Sequence, residues 1–206
     1  MSQKNIRTLT FGAVGWNDPQ VVRSLYPDDV PLSWRLPCYA SHFDTVLVPE
    51  ADWRDATPDD GAAWVGELPS QFWFYLLLEE APDETRLNAL EALCAALGDR
   101  VGGVVLEDGP AATARQSVGD RLGDIPVFSS AGEAGPGRLW TGPDSACPCG
   151  PVGLVSFDVP PSPRVLRETV EAFMDCQDAP WAVLFMRAPV STFDDARVVG
   201  QLLGVA

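Results

Sequence analysis

Short apolar runs alternate with longer stretches of helical periodicity along most of the chain. Residues 72–78 are apolar throughout, as expected of a strand that is buried on both faces. Between Asp83 and Gly98 apolar residues recur at the spacing of an amphipathic helix. The alternation favours an α/β fold with a parallel sheet and covering helices. The further predicted strands are residues 8–14, 45–48, 101–106, 125–128, 152–157 and 181–186, and the further helices are residues 32–43, 57–67, 163–174 and 193–203.

The segment 131–150 interrupts this alternation. It is rich in Gly, Pro and Ser, and only Arg138-Leu139-Trp140 is apolar enough for a short strand. No linker divides the chain, so residues 1–206 are interpreted as one domain. The pattern alone does not distinguish a closed barrel from an open doubly wound sheet. At 206 residues, a barrel of eight strand–helix units would be near its lower limit of about 200 residues.

Several motifs, taken in order, resemble one known family. Gly12-Ala-Val-Gly15-Trp16 leaves the first strand, Leu25-Tyr26-Pro27 follows, and Leu68-Pro69-x-x-Phe72-Trp-Phe74 opens the third strand. The last strand and helix contain the Asp195-Ala196 pair. These motifs are similar to those of the YecE-like family, a TIM-barrel domain of unknown function. The resemblance implies a TIM-barrel-like (β/α)8 fold, shortened or partly irregular around residues 131–150.

The departures from the family pattern fall at strand ends. The resemblance implies Glu and Asn on the second strand, where this chain has Leu47 and Pro49, and a Lys on the third strand, where it has Leu77. The fourth strand closes with Glu107 instead of Gln. Barrels place their chemistry at the C-terminal ends of strands. The resemblance therefore implies a degenerate member that has lost much of its polar site.

Charge and hydropathy indicate which binding partners and which cellular compartment to expect. The formal net charge is −15, with 29 acidic residues against 14 Lys and Arg, which argues against nucleic-acid binding. Lys4 is the only lysine, so Schiff-base chemistry and a phosphate-gripping lysine are not expected. No signal core follows Met1, and the longest apolar run is too short to span a bilayer. We expect a cytoplasmic protein that binds neither nucleic acid nor membrane.

Cysteine and histidine give little chemistry. Five cysteines are scattered along the chain and are expected to be reduced in the cytoplasm. Cys147-Pro-Cys149 is interpreted as an ordinary loop in preference to a metal or redox site, because a zinc site needs four ligands. His42, the sole histidine, is interpreted as an ordinary surface residue in preference to a catalytic one.

Acidic residues are the remaining candidates for chemistry. Two hypotheses follow: a degenerate or non-catalytic barrel that binds a small molecule or a protein partner, and a carboxylate-based hydrolase or lyase, with or without a divalent metal. The sequence indicates no cofactor and leaves self-association open. The charged residues predicted at or just beyond strand ends are Glu50, Asp52, Glu79, Glu107, Asp108, Asp158 and Arg187.

Overall fold

The computed structural model describes residues 7–107, 112–131 and 133–205. In this part of the chain seven strands alternate with eight α-helices, and every predicted strand is present with small shifts at its ends. The strands are β1 (Thr8–Val14), β2 (Thr45–Val48), β3 (Trp73–Leu78), β4 (Val101–Leu106), β5 (Val127–Ser129), β6 (Val152–Ser156) and β7 (Trp181–Arg187). The helices are α1 (Pro19–Leu25), α2 (Leu32–Ala40), α3 (Glu50–Trp53), α4 (Pro58–Gly66), α5 (Glu84–Leu97), α6 (Ala112–Leu122), α7 (Pro163–Cys176) and α8 (Ser191–Leu203).

Local sequence explains where several helices begin and end. The Thr57 side chain accepts from the N–H of Asp60, and the Asp60 carboxylate accepts from the N–H of Thr57, which is a capping box at the start of α4. Asp83 caps α5 by accepting from the N–H of Arg86. Gly98 ends that helix at a φ of 56°. These boundaries confirm the predictions, whereas α2 ends three residues before the predicted residue 43.

Three helices were not predicted. α3 has only 4 residues and α1 only 7, too few for a periodic pattern to be recognised. α6 lies among polar residues, and of its described side chains only Ala114 and Val118 are buried. A helix with so narrow an apolar stripe carries little hydrophobic signal.

The strand order decides between the two architectures that the pattern left open. The sheet is parallel and runs β5-β4-β3-β2-β1-β7-β6. Successive strands from β1 to β5 are neighbours, and β6 leads to β7, which returns to pair with β1. This is the cyclic order of a barrel, without the reversal that marks a doubly wound sheet. The fold is a shortened TIM-barrel-like fold.

The segment 131–150 lies between the two outer strands. The N–H of Leu139 donates to the carbonyl of Ser129 at the end of β5, and the N–H of Trp140 donates to the carbonyl of Val152 in β6. Single bridges at Arg138 and Trp140 connect the segment to both sides. Its described residues form no regular strand–helix unit, which confirms the predicted irregularity.

Buried side chains form two cores, one on each face of the sheet. The outer core packs the sheet against the helices. The inner core occupies the space enclosed by the curled sheet, to which the strands contribute alternate residues. Its fully or nearly buried members are Leu47, Tyr75, Leu77, Val105, Phe128, Leu139, Val152, Leu154, Val183 and Phe185.

One cysteine expectation was wrong. Cys147 forms a disulfide with Cys176 at the end of α7, with a Cα–Cα distance of 5.2 Å, although the two residues are 29 positions apart. The sequence does not predict this pair, because only the fold brings the loop that contains Cys147 against α7. Cys149, which is buried, and Cys38 and Cys94 are free. Within the described ranges, no helix is long and apolar enough to cross a membrane.

Candidate functional site

Three charged side chains lie at the C-terminal end of the barrel interior. They are Glu79, Glu107 and Arg187, which lie two residues after inner-core residues of β3, β4 and β7, respectively. Because side chains alternate between the two faces of a strand, all three continue the inward-facing row. We call them the rim layer. At the C-terminal end of the barrel, these charged side chains follow the apolar side chains of the inner core.

An ion pair joins two members of the rim layer. Both terminal nitrogens of Arg187 donate to the Glu107 carboxylate, with Nη1–Oε1 at 2.6 Å and Nη2–Oε2 at 2.5 Å. The side chains are 34% and 24% exposed, so water screens the pair only in part. Glu79 lies farther away, with 4.0 Å between its Oε1 and the same Nη2. The bidentate geometry fixes the orientation of the guanidinium plane relative to the Glu107 carboxylate.

Glu79 and Asp52 share a small cavity beside this pair. The cavity measures about 240 Å³, and its lining includes Gly15, Asp52, Glu79 and Arg187. Burial raises the pKa of Glu79, and the neighbouring Arg187 opposes that rise. Burial also raises the pKa of Asp52. Two carboxyl groups whose charged forms are disfavoured therefore face one cavity, close to a cation.

The glycine motif after β1 shapes one wall of this cavity. Gly15 has a φ of 72°, in the left-handed region, and its N–H donates to the carbonyl of Leu47 at 2.8 Å. A Cβ placed there would lie 3.3 Å from Pro49 Cγ and 3.6 Å from Asp52 Oδ2. The glycine allows the turn and leaves the space in front of Asp52 open.

Glu50 has a structural position outside this cavity. Its side chain is only 6% exposed, accepts from Arg86 Nε at 2.7 Å, and accepts from the backbone N–H of Glu79 at 3.1 Å. Arg86 also contacts Glu80. These bonds tie α3 to the end of β3 and to α5. Glu50 holds the backbone of Glu79 and does not line the cavity.

Asp158 lines a second cavity of about 230 Å³ on the same end of the barrel. Arg187 and Asp18 line both cavities, so the two are adjacent. Asp18 was not predicted, although Asp18-Pro19 is a recognisable helix start: its carboxylate caps α1 by accepting from Gln20 N at 2.8 Å. Asp108 lies outside the described residues.

The other residues considered for chemistry have structural surroundings. His42 is exposed in a turn after α2, and its backbone carbonyl accepts from Arg197. The buried Tyr39 hydroxyl accepts from the N–H of Ala13 and donates to the carbonyl of Thr45, both at 2.9 Å. Among residues 7–107, 112–131 and 133–205, no three His, Cys, Asp or Glu side chains form a group suited to a metal ion.

Comparison with known proteins gives a family and a fold. A family model described as "Protein of unknown function DUF72" matches residues 10–117. A solved DUF72 family protein from Enterococcus faecalis V583 is 12% identical, with a TM-score of 0.64 over 97% of this chain and 99% of that chain. Another from Thermotoga maritima MSB8 is 10% identical, with a TM-score of 0.59 over 96% and 99%. No curated protein matches the chain.

Proposed function

Since the chain belongs to the DUF72 family, whose function is unknown, we propose from the site alone that the rim of the barrel binds a small molecule rich in hydrogen-bond donors, without transforming it. The ligand class is a polyol or a small amine. The observation that carries the proposal is the cavity shared by Asp52 and Glu79, in which Arg187 is already engaged by Glu107.

The charges of the rim favour donors over anions. Asp52, Glu79 and Asp18 supply acceptor oxygens to the cavity, and Arg187 is its only cationic lining residue. Because Glu107 accepts two hydrogen bonds from that guanidinium, an incoming anion would have to displace a carboxylate. A ligand hydroxyl or ammonium group can donate to the acids without breaking the pair. The whole chain, at −15, also repels anions.

Matched ligand pairs test this proposal. In the pairs glycerol and glycerate, glucose and gluconate, and ethanolamine and glycolate, both members carry hydrogen-bond donors and only the second carries a carboxylate. Binding is followed by ligand-observed NMR, which also reports whether a ligand is consumed. We expect the member without a carboxylate to bind in each pair, and Asp52→Asn and Glu79→Gln to weaken that binding. Asp124→Asn, an exposed acid, is the matched control and should leave it unchanged.

The outcomes separate the proposal from its rivals. Preferential binding of the carboxylates, or no binding of any member, contradicts it. Binding that survives both Asp52→Asn and Glu79→Gln assigns the ligand to another place on the molecule. Consumption of a bound ligand during the NMR series contradicts the non-catalytic part and favours the second candidate.

The second candidate is an enzyme that uses carboxylates at the C-terminal face, as a hydrolase or lyase. The raised pKa values of Asp52 and Glu79 favour it, because a carboxyl group that keeps its proton at higher pH can act as a general acid. A metal-assisted form is tested by thermal shift with Mg²⁺, Mn²⁺ and Zn²⁺. A metal-specific rise in melting temperature that is lost in Glu107→Gln or Asp158→Asn would support it.

A further inference from the structure

A further cavity is present at the opposite, N-terminal end of the barrel. It measures about 720 Å³, and its lining includes Asp44, Trp73, Tyr75 and Trp181. We call it the basal cavity. This volume is within the range of about 300–1,000 Å³ that small-molecule sites occupy. In barrels of this kind the active site is at the C-terminal end, and the N-terminal end ordinarily serves stability. The basal cavity is therefore not part of the site at the rim.

Sequence features leave this end of the barrel open. Small threonines line this end: Thr45 pairs with Trp73 on β3, and Thr10 lies two residues beyond Thr8, which pairs with Trp181 on β7. A register shift between Phe74 and Tyr75 occurs where β3 pairs with β4. Next to it, Gly102 has no side chain, and a Cβ there would lie 2.3 Å from the Tyr75 ring.

Residues of the inner core form the floor of the basal cavity. The Tyr75 ring packs edge to face against Phe185, with ring centroids 5.1 Å apart. Both residues belong to the inner core, which lies between the basal cavity and the rim layer. A ligand in the basal cavity would therefore not reach Glu79, Glu107 or Arg187. The two ends of the barrel are separate sites.

The mouth of the basal cavity combines exposed aromatic rings with a negative charge. Trp73 and Trp181 are each 44% exposed, although a large apolar side chain at that position would gain from burial. They belong to strands three places apart in the sheet, so they line different sides of the mouth. Among the described residues that line the cavity, Asp44 is the only charged one, and none is Lys, Arg or His. Aromatic faces beside a carboxylate are the surroundings that bind organic cations.

We propose that the basal cavity binds an organic cation of the alkylammonium class, held by the rings of Trp73, Trp181 and Tyr75 and by the charge of Asp44. The rings attract the cation through their negative faces, and the apolar lining accommodates its methyl groups. An anion finds no cationic partner among the described lining residues. The proposal does not depend on the ligand proposed for the rim.

Three molecules of nearly equal shape test the charge preference. Choline carries a quaternary ammonium, 3,3-dimethylbutan-1-ol replaces its nitrogen with carbon, and 3,3-dimethylbutanoate carries a negative charge. Binding to the full chain is measured by calorimetry in about 150 mM NaCl, which screens unspecific attraction to this acidic surface. We expect choline to bind at least about 5-fold tighter than the neutral alcohol, and the carboxylate not to bind.

Variants then assign the binding to the basal cavity. Trp73→Ala or Trp181→Ala should weaken choline binding by roughly 5- to 30-fold, the equivalent of one cation–π contact. Trp34→Ala, which removes a tryptophan that is 66% exposed and outside the cavity lining, is the matched control and should have no effect. Asp44→Asn should lower the preference for choline over the alcohol and leave alcohol binding unchanged. Circular dichroism verifies that each variant is folded.

Each result decides the matter. Equal binding of choline and the alcohol, or no choline binding at millimolar concentration, overturns the proposal. So does choline binding that Trp73→Ala, Trp181→Ala and Asp44→Asn leave intact. If a tryptophan variant fails to fold, the preference of the unmodified chain and its loss in Asp44→Asn still decide.

Discussion

The ion pair between Glu107 and Arg187 allows a quantitative test of the rim layer. The perturbation is a double-mutant cycle with Arg187→Met, Glu107→Gln and both together. Exposed ion pairs contribute about 0.2–1 kcal/mol, and breaking a fully buried pair costs about 3–5 kcal/mol. With exposures of 34% and 24% this pair is intermediate. We therefore expect a coupling free energy of about 1–2 kcal/mol.

The contacts of Arg187 predict which of the two single variants has the lower free energy of unfolding. Glu107→Gln leaves Arg187 with Glu79, whose Oε1 is 4.0 Å from Nη2 and can approach it. Arg187→Met leaves Glu79 and Glu107 as neighbouring carboxylates without that cation. We expect Glu107→Gln to lower the free energy of unfolding by about 0.5–1.5 kcal/mol and Arg187→Met to lower it by about 1.5–3 kcal/mol.

Urea denaturation near neutral pH measures all four free energies of unfolding. The matched control is the exposed pair Arg164–Glu168 on α7, at 2.8 Å with exposures of 86% and 56%. Its coupling should not exceed about 0.5 kcal/mol. The reasoning is refuted if the rim pair couples no more strongly than this control, or if Glu107→Gln proves more costly than Arg187→Met.

Three further predictions concern single positions. Burial raises the pKa of Glu79 above 4.5, so the folded state favours its protonated form. The stability that this protonated form contributes is fully present below pH 4.5. It is lost as the pH rises through the raised pKa. Glu79→Gln should therefore stabilise the fold more at pH 7 than at pH 4, and urea titrations that show the opposite order contradict this. Tyr39→Phe leaves a buried backbone N–H without its acceptor and should lower the free energy of unfolding by about 1–3 kcal/mol in urea. Gly15→Ala forces an alanine into the left-handed region and should lower the free energy of unfolding by about 1–2 kcal/mol. The control Gly66→Ala, with open space around it, should be neutral or stabilising. Equal melting temperatures for the two variants would contradict backbone strain at position 15.

The carboxylates illustrate what more the sequence could have predicted. All seven charged candidates are predicted near strand ends, without a distinction between side chains that face into the barrel and side chains that face outwards. The two-residue alternation along β3, β4 and β7 separates Glu79, Glu107 and Arg187 as inward-facing. Glu50 could not be assigned in this way, because its partner Arg86 belongs to another helix 36 residues away. Local periodicity predicts the direction of a side chain, and only long-range packing supplies its partner.

By itself the sequence determined the strands, most of the helices and the irregular segment 131–150. These features depend on apolar periodicity, caps and glycine, all of which act between near neighbours in the chain. Tertiary structure alone decided the Cys147–Cys176 disulfide, the Glu107–Arg187 pair and the basal cavity, and it confirmed the barrel order that the family resemblance implied and the apolar pattern left open. Each of these joins residues that are distant in sequence, and the physical reason is the long-range packing of the curled sheet around the inner core and against its helices, which sets their separations.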